Sequence, residues 1–175
     1  MRLFIAISIS KEAEEELKRL QNELRYAKLN LVKDFHLTLK FLGDVDNKKI
    51  DKIKERLKEI KSKKFSLELS DIGVFPSENY IRVVWVGLKP ENKVVELQNA
   101  VESSLEDIFE KDKNFKPHIT IARVKAIENK KEFKSIIKNL KVKIVKSEIT
   151  CFKLIKSTLT PKGPVYEILE KFALY

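Results

Sequence analysis

The sequence is poor in the residues that form cross-links and metal clusters. It contains one cysteine, Cys151, so an internal disulfide and a cysteine metal cluster are both excluded. Its two histidines lack the short spacings of a local metal site. The longest N-terminal apolar run, Leu3 to Ile9, is too short for a signal peptide or a membrane span. We therefore expect a soluble cytoplasmic protein without a metal.

The sequence has an excess of positive charge. Lysine and arginine number 36 against 26 acidic residues, which gives a formal net charge of +10. This excess favours an anionic partner such as a nucleic acid, although the lysine-rich surface of a thermophile protein explains the same charge. Hydrophobic residues make up 43% of the 175 positions, which is enough for the core of one domain or of two small lobes.

Both histidines stand in the same four-residue frame. The two copies read His36-Leu37-Thr38-Leu39 and His118-Ile119-Thr120-Ile121. Threonine fills only five of the 175 positions, so chance poorly explains two identical spacings. Histidine is the side chain whose ordinary pKa lets it give or take a proton near neutral pH. The doubled frame therefore predicts a matched acid–base pair.

The pattern around the two frames predicts an imperfect repeat. In each half an apolar strand precedes an amphipathic helix, the histidine strand, a second helix and further strands. Turn-forming residues predict loops over 74–79 and 157–164. The helix starts are expected at Ser10, Asp46, Pro90 and Asn129.

This alternation predicts an α+β fold. We expect a single bilobal domain over 1–175 whose two pseudo-symmetric halves each contain an antiparallel sheet with outer helices. The repeat units run roughly over 1–78 and 79–175. An approximate two-fold between the halves would direct both histidines into one central cleft.

Strand geometry predicts which side chains share that cleft. Because side chains alternate across a strand, we expect Lys40 on the face of His36 and Thr38, and Phe41 on the core face. His118 and Thr120 share a face by the same rule. In such a cleft one imidazole would deprotonate a nucleophile while the other protonates the leaving oxygen. The threonine hydroxyls would bind non-bridging oxygens of a phosphoryl group.

Arg123 is the candidate for the cation that binds the phosphate. A guanidinium can engage two phosphate oxygens at once, and with it the reaction needs no metal. Strict alternation from His118, however, places Arg123 on the core face. It reaches the cleft only if the strand ends, bulges or twists after Ile121, and a surface salt bridge is the alternative role.

These motifs resemble the two-histidine phosphoesterase superfamily, which is defined by paired His-x-Thr-x motifs. Within it the chain is similar to the RNA 2′,3′-cyclic phosphodiesterases, also called 2′-5′ RNA ligases, of bacteria and archaea. The resemblance extends over nearly the whole chain. Its carriers are segments 2–7, 36–43, 82–87 and 117–123, and the tail Ser157-x-Leu159-x-Pro161-x-Gly163-Pro164-x-Tyr166.

The resemblance implies a bilobal fold with a central cleft, and hydrolysis of a 2′,3′-cyclic phosphate RNA end to a 2′-phosphate without metal or other cofactor. In this reaction His118 would be the proton acceptor for water, and His36 the proton donor to the leaving 3′-oxygen. Phe75 is the candidate for stacking on the terminal base, with a core role as its alternative. The residues implied for the phosphate are Thr38, Thr120 and Arg123.

The expected partner is RNA with a 2′,3′-cyclic phosphate end, tRNA halves included, and we expect a monomer without membrane attachment. Three other functions stay open. They are a 2′-5′ RNA ligase that joins tRNA halves, a non-catalytic basic RNA-binding module, and an enzyme for a small cyclic nucleotide.

Overall fold

Two of the four α-helices begin at residues whose side chains cap them. In the computed structural model, which describes residues 1–175, Ser10 and Asn129 accept hydrogen bonds from backbone amides one turn later, each at 3.1 Å. Asp46 caps a 3₁₀ turn over Asn47–Lys49 that leads into the second helix. The predicted helix starts are thus confirmed. The helices are α1 (Lys11–Glu23), α2 (Ile50–Lys58), α3 (Glu91–Leu105) and α4 (Lys130–Asn139).

Nine strands form two antiparallel sheets, which confirms the predicted α+β class. The first sheet has the order β3-β1-β8-β9, and the second has the order β2-β6-β5-β4-β7. The strands are β1 (Arg2–Ile7), β2 (Ala27–Leu31), β3 (Leu37–Asp44), β4 (Phe65–Ser77), β5 (Tyr80–Lys89), β6 (Ile119–Ile127), β7 (Lys146–Ile149), β8 (Cys151–Thr160) and β9 (Gly163–Ala173).

Strands and helices cross between the two halves of the chain. In the first sheet β1 lies between β3 and β8, and in the second sheet β5 lies between β6 and β4. β4, which follows the first histidine strand and α2, therefore pairs in the second sheet, and β8, which follows the second histidine strand, α4 and β7, pairs in the first sheet. Helices cross likewise, because α3 packs on β3 while α1 packs on β6 and β7. One continuous core of 35 buried hydrophobic residues results.

A smaller apolar cluster lies on the opposite face of the first sheet. Alternate residues of β1 point into the main core, whereas Phe4 and Ala6 point away from it. Phe4 and Ala6 are buried together with Ile155 of β8, and Tyr166 of β9 packs against all three. This face of the first sheet is the one that positions the first histidine.

Both predicted loops are shorter in the structure than expected. β4 continues through 74–77 and pairs with β5, which leaves only a turn at 78–79. The second predicted loop is a hairpin of β8 and β9 around a turn at 161–162. Proline and glycine predict loops that are too long here, because at these hairpins these residues lie within or beside paired strands. The edge strand β2 was missed, since its short, half-exposed run has little apolar periodicity.

Candidate active site

His36 lies directly before β3, against the smaller apolar cluster of the first sheet. Its ring centroid is 4.9 Å from that of Phe4 and 5.3 Å from that of Tyr166, whose ring meets it edge-on. The side chain is half-buried, so one side of the imidazole stays accessible. The aromatic contacts fix the plane of the ring.

His118 lies directly before β6 and has a matching aromatic setting in the second sheet. Its ring centroid is 5.0 Å from Phe75, which it meets edge-on, and 6.0 Å from Trp85. The Trp85 indole lies over Gly73, where an added Cβ would come within 2.1 Å of the ring. A glycine is therefore needed at this position for the indole to support His118.

Both histidines make the same hydrogen bond with the backbone. Nδ1 of His36 lies 3.2 Å from the carbonyl oxygen of Asp34, and Nδ1 of His118 lies 2.6 Å from that of Lys116. A carbonyl oxygen can only accept, so Nδ1 carries a hydrogen in each ring. The proton that can be gained or lost is therefore the one on Nε2, in both histidines.

A β-bulge follows each motif at the same place. In β3 the partners of Thr38 and Lys40 are adjacent residues of β1, so Leu39 is an extra residue. In β6 the partners of Thr120 and Ala122 are adjacent residues of β5, so Ile121 is the extra residue. Each bulge lies three residues after its histidine, and it reverses the alternation of the side chains that follow.

The first bulge corrects the predicted faces of Lys40 and Phe41. Lys40 is only 2% exposed and lies in the interior, whereas Phe41 is 66% exposed. The ring of Phe41 is 6.0 Å from Phe4, on the side of the first sheet that carries His36. The expectation that Lys40 shares the face of His36 was therefore wrong, because it assumed unbroken alternation.

The second bulge brings Arg123 out of the core. Arg123 is exposed, while its neighbours Ala122 and Val124 are buried. Its charge acts on His36 and His118, and also on the phenol of Tyr166. The guanidinium therefore lies within electrostatic reach of both histidines. The bulge at Ile121 is the irregularity that Arg123 needs to leave the core face.

The pKa of both histidines is lowered, chiefly by burial. Low-dielectric surroundings disfavour the charged imidazolium in His36 and in His118. The Nδ1 hydrogen bonds oppose this effect, and the positive charge of Arg123 adds to it. Burial also raises the pKa of Tyr166, so its phenol stays protonated well above neutral pH. An anion bound beside Arg123 would offset the guanidinium and return proton affinity to both rings.

The remaining predicted site residues lie around the two histidines. Thr38 and Thr120 are half-exposed, one on each histidine strand, and pair with Ala6 and Trp85 respectively. Phe75 is also half-exposed, and its ring packs 5.0 Å from Trp85 as well as against His118. The structure thus contains both a contact with the site and a packing role for Phe75.

Three aromatic residues of the site are not among the residues predicted for it. Tyr166 and Trp85 contact the histidines, and Phe41 lies exposed beside Phe4. Alignment of the two motifs contains a signal for Phe41, because it stands five residues after His36, as Arg123 does after His118. Trp85 and Tyr166 lie in segments that carry the family resemblance, but their contacts with the histidines come from strand pairing and could not be predicted locally.

The described residues contain no group of three or more histidine, cysteine or acidic side chains arranged to hold a metal ion. None of the four helices has the length and apolar character needed to cross a membrane.

Two antiparallel sheets that each present a His-x-Thr motif define the class of two-histidine phosphoesterases. A family model described as LigT like Phosphoesterase matches residues 7–85 and again residues 86–166. The chain belongs to this LigT-like phosphoesterase family.

Relatives match over the full chain. A protein of Methanocaldococcus jannaschii named RNA 2′,3′-cyclic phosphodiesterase is 39% identical, with coverage of 98% of this chain and 100% of the relative. A protein of the same name from Archaeoglobus fulgidus is 36% identical, and the match covers 98% of this chain and 99% of the relative. A solved Thermus thermophilus structure has a TM-score of 0.81 at 30% identity, over 99% and 98% of the chains. E. coli LigT in complex with 3′-AMP has a TM-score of 0.78 at 26% identity, and the match covers 99% of this chain and 97% of that structure.

Proposed function

We propose that this chain is an RNA 2′,3′-cyclic phosphodiesterase that opens the cyclic phosphate at an RNA end to a 2′-phosphate. The observation that carries the proposal is the matched pair of histidines, each with Nδ1 bound to a carbonyl and Nε2 available, with Arg123 in reach of both. The names of the two archaeal relatives support the same activity.

The proposed reaction is an in-line displacement at phosphorus. Nε2 of His118 takes a proton from water as the water oxygen forms a bond to phosphorus. The bond from phosphorus to the 3′-oxygen breaks, and Nε2 of His36 gives that oxygen a proton. One proton enters the enzyme and one leaves it, so the two rings exchange protonation states and must be reset by solvent before the next turnover.

Arg123 and the two threonines hold the charge of the phosphate. The guanidinium fork suits two non-bridging oxygens, and the hydroxyls of Thr38 and Thr120 would donate to the same group. Charge that builds on these oxygens in the transition state is thereby stabilised. The proposed chemistry uses no metal or cofactor, because the side chains supply the protons and the positive charge.

The leaving-group role of His36 orients the RNA. The ribose that carries the departing 3′-oxygen must lie on the His36 side, next to the first sheet. The exposed ring of Phe41 lies on that side, whereas Phe75 lies next to His118. Phe75 remains the base-stacking residue predicted from the sequence, and Phe41 is the alternative that this orientation favours.

We propose that the chain is a monomer in the cytoplasm and that it acts on RNA ends such as those of tRNA halves. The net charge of +10 supports an RNA partner because it attracts phosphate backbones from solution.

The test is to identify the product from an oligoribonucleotide with a defined 2′,3′-cyclic phosphate end, in the presence of a chelator. We expect a 2′-phosphate end. A 3′-phosphate would contradict the assigned leaving group, and a 2′-5′ junction with a second RNA would favour the ligase. Salt-sensitive binding without turnover would identify a non-catalytic RNA-binding module. Faster turnover of a cyclic mononucleotide than of the RNA end would favour a small-molecule enzyme.

A further inference from the structure

The residues two positions before the two histidines carry opposite charges. Asp34 precedes His36, and Lys116 precedes His118. Their carbonyl oxygens accept the Nδ1–H bonds, so each side chain leaves the backbone directly beside an imidazole. Both side chains are exposed. Two rings with matching hydrogen bonds therefore have electrostatically opposite neighbours.

His36 is faced by groups from three elements. Asp34 stands before β3, Arg123 is on β6, and the phenol of Tyr166 is on β9. Burial lowers the pKa of His36, the carbonyl and the carboxylate of Asp34 raise it, and Arg123 lowers it. The pKa of Tyr166 is raised chiefly by burial; the charges of Arg123 and Arg2 lower it, and the charge of Asp34 raises it.

His118 is faced by positive charge. Burial lowers its pKa, the carbonyl of Lys116 raises it, and the charges of Arg123 and Lys116 lower it. The aromatic residues that surround the ring carry no charge. The Lys116 ammonium lies 5.8 Å from the centre of the Trp85 ring and donates to Glu91 of α3 at 2.8 Å, which orients it beside the site.

Arg123 acts on both histidines with the same sign, whereas Asp34 and Lys116 act with opposite signs. We propose that Asp34 and Lys116 are positioning residues: when the two rings share a single proton, they favour the state in which His36 holds it and His118 is neutral. The assignment of donor and acceptor rests on the proposed function, whereas the unequal protonation of the two rings does not.

A pair of nearly symmetric histidines has two states with one proton. Only one of them suits an RNA end bound in a given orientation, and the rate depends on its population. Opposite charges beside the two rings raise that population without any contact with the substrate. The pseudo-symmetric motifs thereby acquire unequal chemical roles.

The test is an NMR titration of the protein without RNA. The chain has only two histidines, so their ring signals can be assigned with His36→Gln and His118→Gln. We expect Asp34→Asn to shift the titration of His36 to lower pH, and Lys116→Gln to shift that of His118 to higher pH. Each substitution should shift its own neighbour more than the other histidine. Because both sites are exposed, the variants should fold.

Two substitutions serve as matched controls, Asp44→Asn on β3 and Lys125→Gln on β6. Both residues are exposed, and neither acts on a histidine. These two control substitutions should not shift the titration of either histidine. Unchanged titrations in Asp34→Asn and Lys116→Gln would overturn the inference. The expected shifts in a protein that turns over no cyclic phosphate would support the inference and overturn the proposed function alone.

The pH profile of kcat/KM supplies a second readout that a purely structural role would not move. Its rising limb reports the neutral His118, and its falling limb reports the protonated His36. Asp34→Asn should move the falling limb to lower pH, and Lys116→Gln should move the rising limb to higher pH. Each substitution should therefore narrow the pH range over which kcat/KM is high. Asp34→Glu and Lys116→Arg should restore its width. A profile that keeps its width in both neutral variants would contradict the inference.

Discussion

At the scale of single residues, the two motifs differ in the positions after their bulges. Lys40 and Phe41 in β3 correspond to Ala122 and Arg123 in β6. In each strand the first of the two is buried and the second is exposed. A β-bulge at the same place in each histidine strand therefore exposes an aromatic ring on one side of the site and a guanidinium on the other.

Arg123→Gln should lower kcat/KM on a cyclic-phosphate RNA end by roughly 10²–10³-fold, because one preorganised charged donor to the transition state is lost. Arg123→Lys should recover only part of the rate, since an ammonium lacks the planar fork. The matched control is Arg56→Gln, which removes an exposed arginine that pairs with Asp107 at 3.0 Å on the helical side. An Arg123→Gln variant as active as this control would refute the phosphate role.

Phe41→Ala should raise KM for an RNA end and leave kcat nearly unchanged. Stacking of an aromatic ring on a base contributes about 1–3 kcal/mol, and the substitution leaves the histidines and Arg123 in place. Phe75→Ala is the comparison, because Phe75 packs on Trp85 and His118 and should affect kcat as well. The opposite pattern, with KM raised only by Phe75→Ala, would restore Phe75 as the stacking residue.

At the scale of secondary-structure elements, a buried ion pair joins the first histidine strand to the segment that leads to the second histidine. The Lys40 ammonium contacts Glu102 of α3 at 2.9 Å and the carbonyl oxygen of Glu110 at 2.8 Å. Gln98 donates to the same carboxylate at 2.9 Å. These contacts connect β3 and α3 with the chain that runs from α3 to β6.

Lys40→Met should lower the free energy of unfolding by about 3–5 kcal/mol, because it leaves the Glu102 carboxylate buried without its partner. Lys40→Met combined with Glu102→Leu should recover most of that loss, since no buried charge then remains. Denaturant unfolding measures both. Lys52→Met removes an exposed pair with Asp107 and should cost at most about 1 kcal/mol. A Lys40→Met variant no less stable than this control would contradict the account.

Features encoded locally were predictable from the sequence, and features that depend on pairing were not. Ser10 and Asn129 cap helices through neighbouring amides, so their residue types suffice. The bulges at Leu39 and Ile121 exist only in relation to a partner strand. The doubled motif therefore predicted the His and Thr candidates, but neither the position of Arg123 nor the exposure of Phe41.

At the scale of the whole molecule, the exchange of strands and helices joins the two sheets in one core. The first sheet contains β8 and β9 from the second half of the chain, and the second sheet contains β2 and β4 from the first half. The division into repeat units near 1–78 and 79–175 stays a prediction about the sequence. The two repeat units do not coincide with the two sheets, because each sheet contains strands from both halves of the chain.

Thermal or denaturant unfolding should therefore be a single transition. Trp85, the only tryptophan, reports on the second sheet, and far-ultraviolet circular dichroism reports on the whole chain. The midpoints from the two probes should coincide, because the continuous core leaves neither sheet stable alone. Two separated midpoints would show that the sheets unfold independently.

Paired acid–base catalysis is tested by the single-turnover rate of His36→Ala and of His118→Ala on a cyclic-phosphate RNA end with a chelator present. Each variant should lose roughly 10²–10⁴-fold in rate, and the double variant should lose less than the product of the two, because both rings act in one transition state. Circular dichroism should confirm that the variants fold. Full activity in either single variant would contradict paired acid–base catalysis.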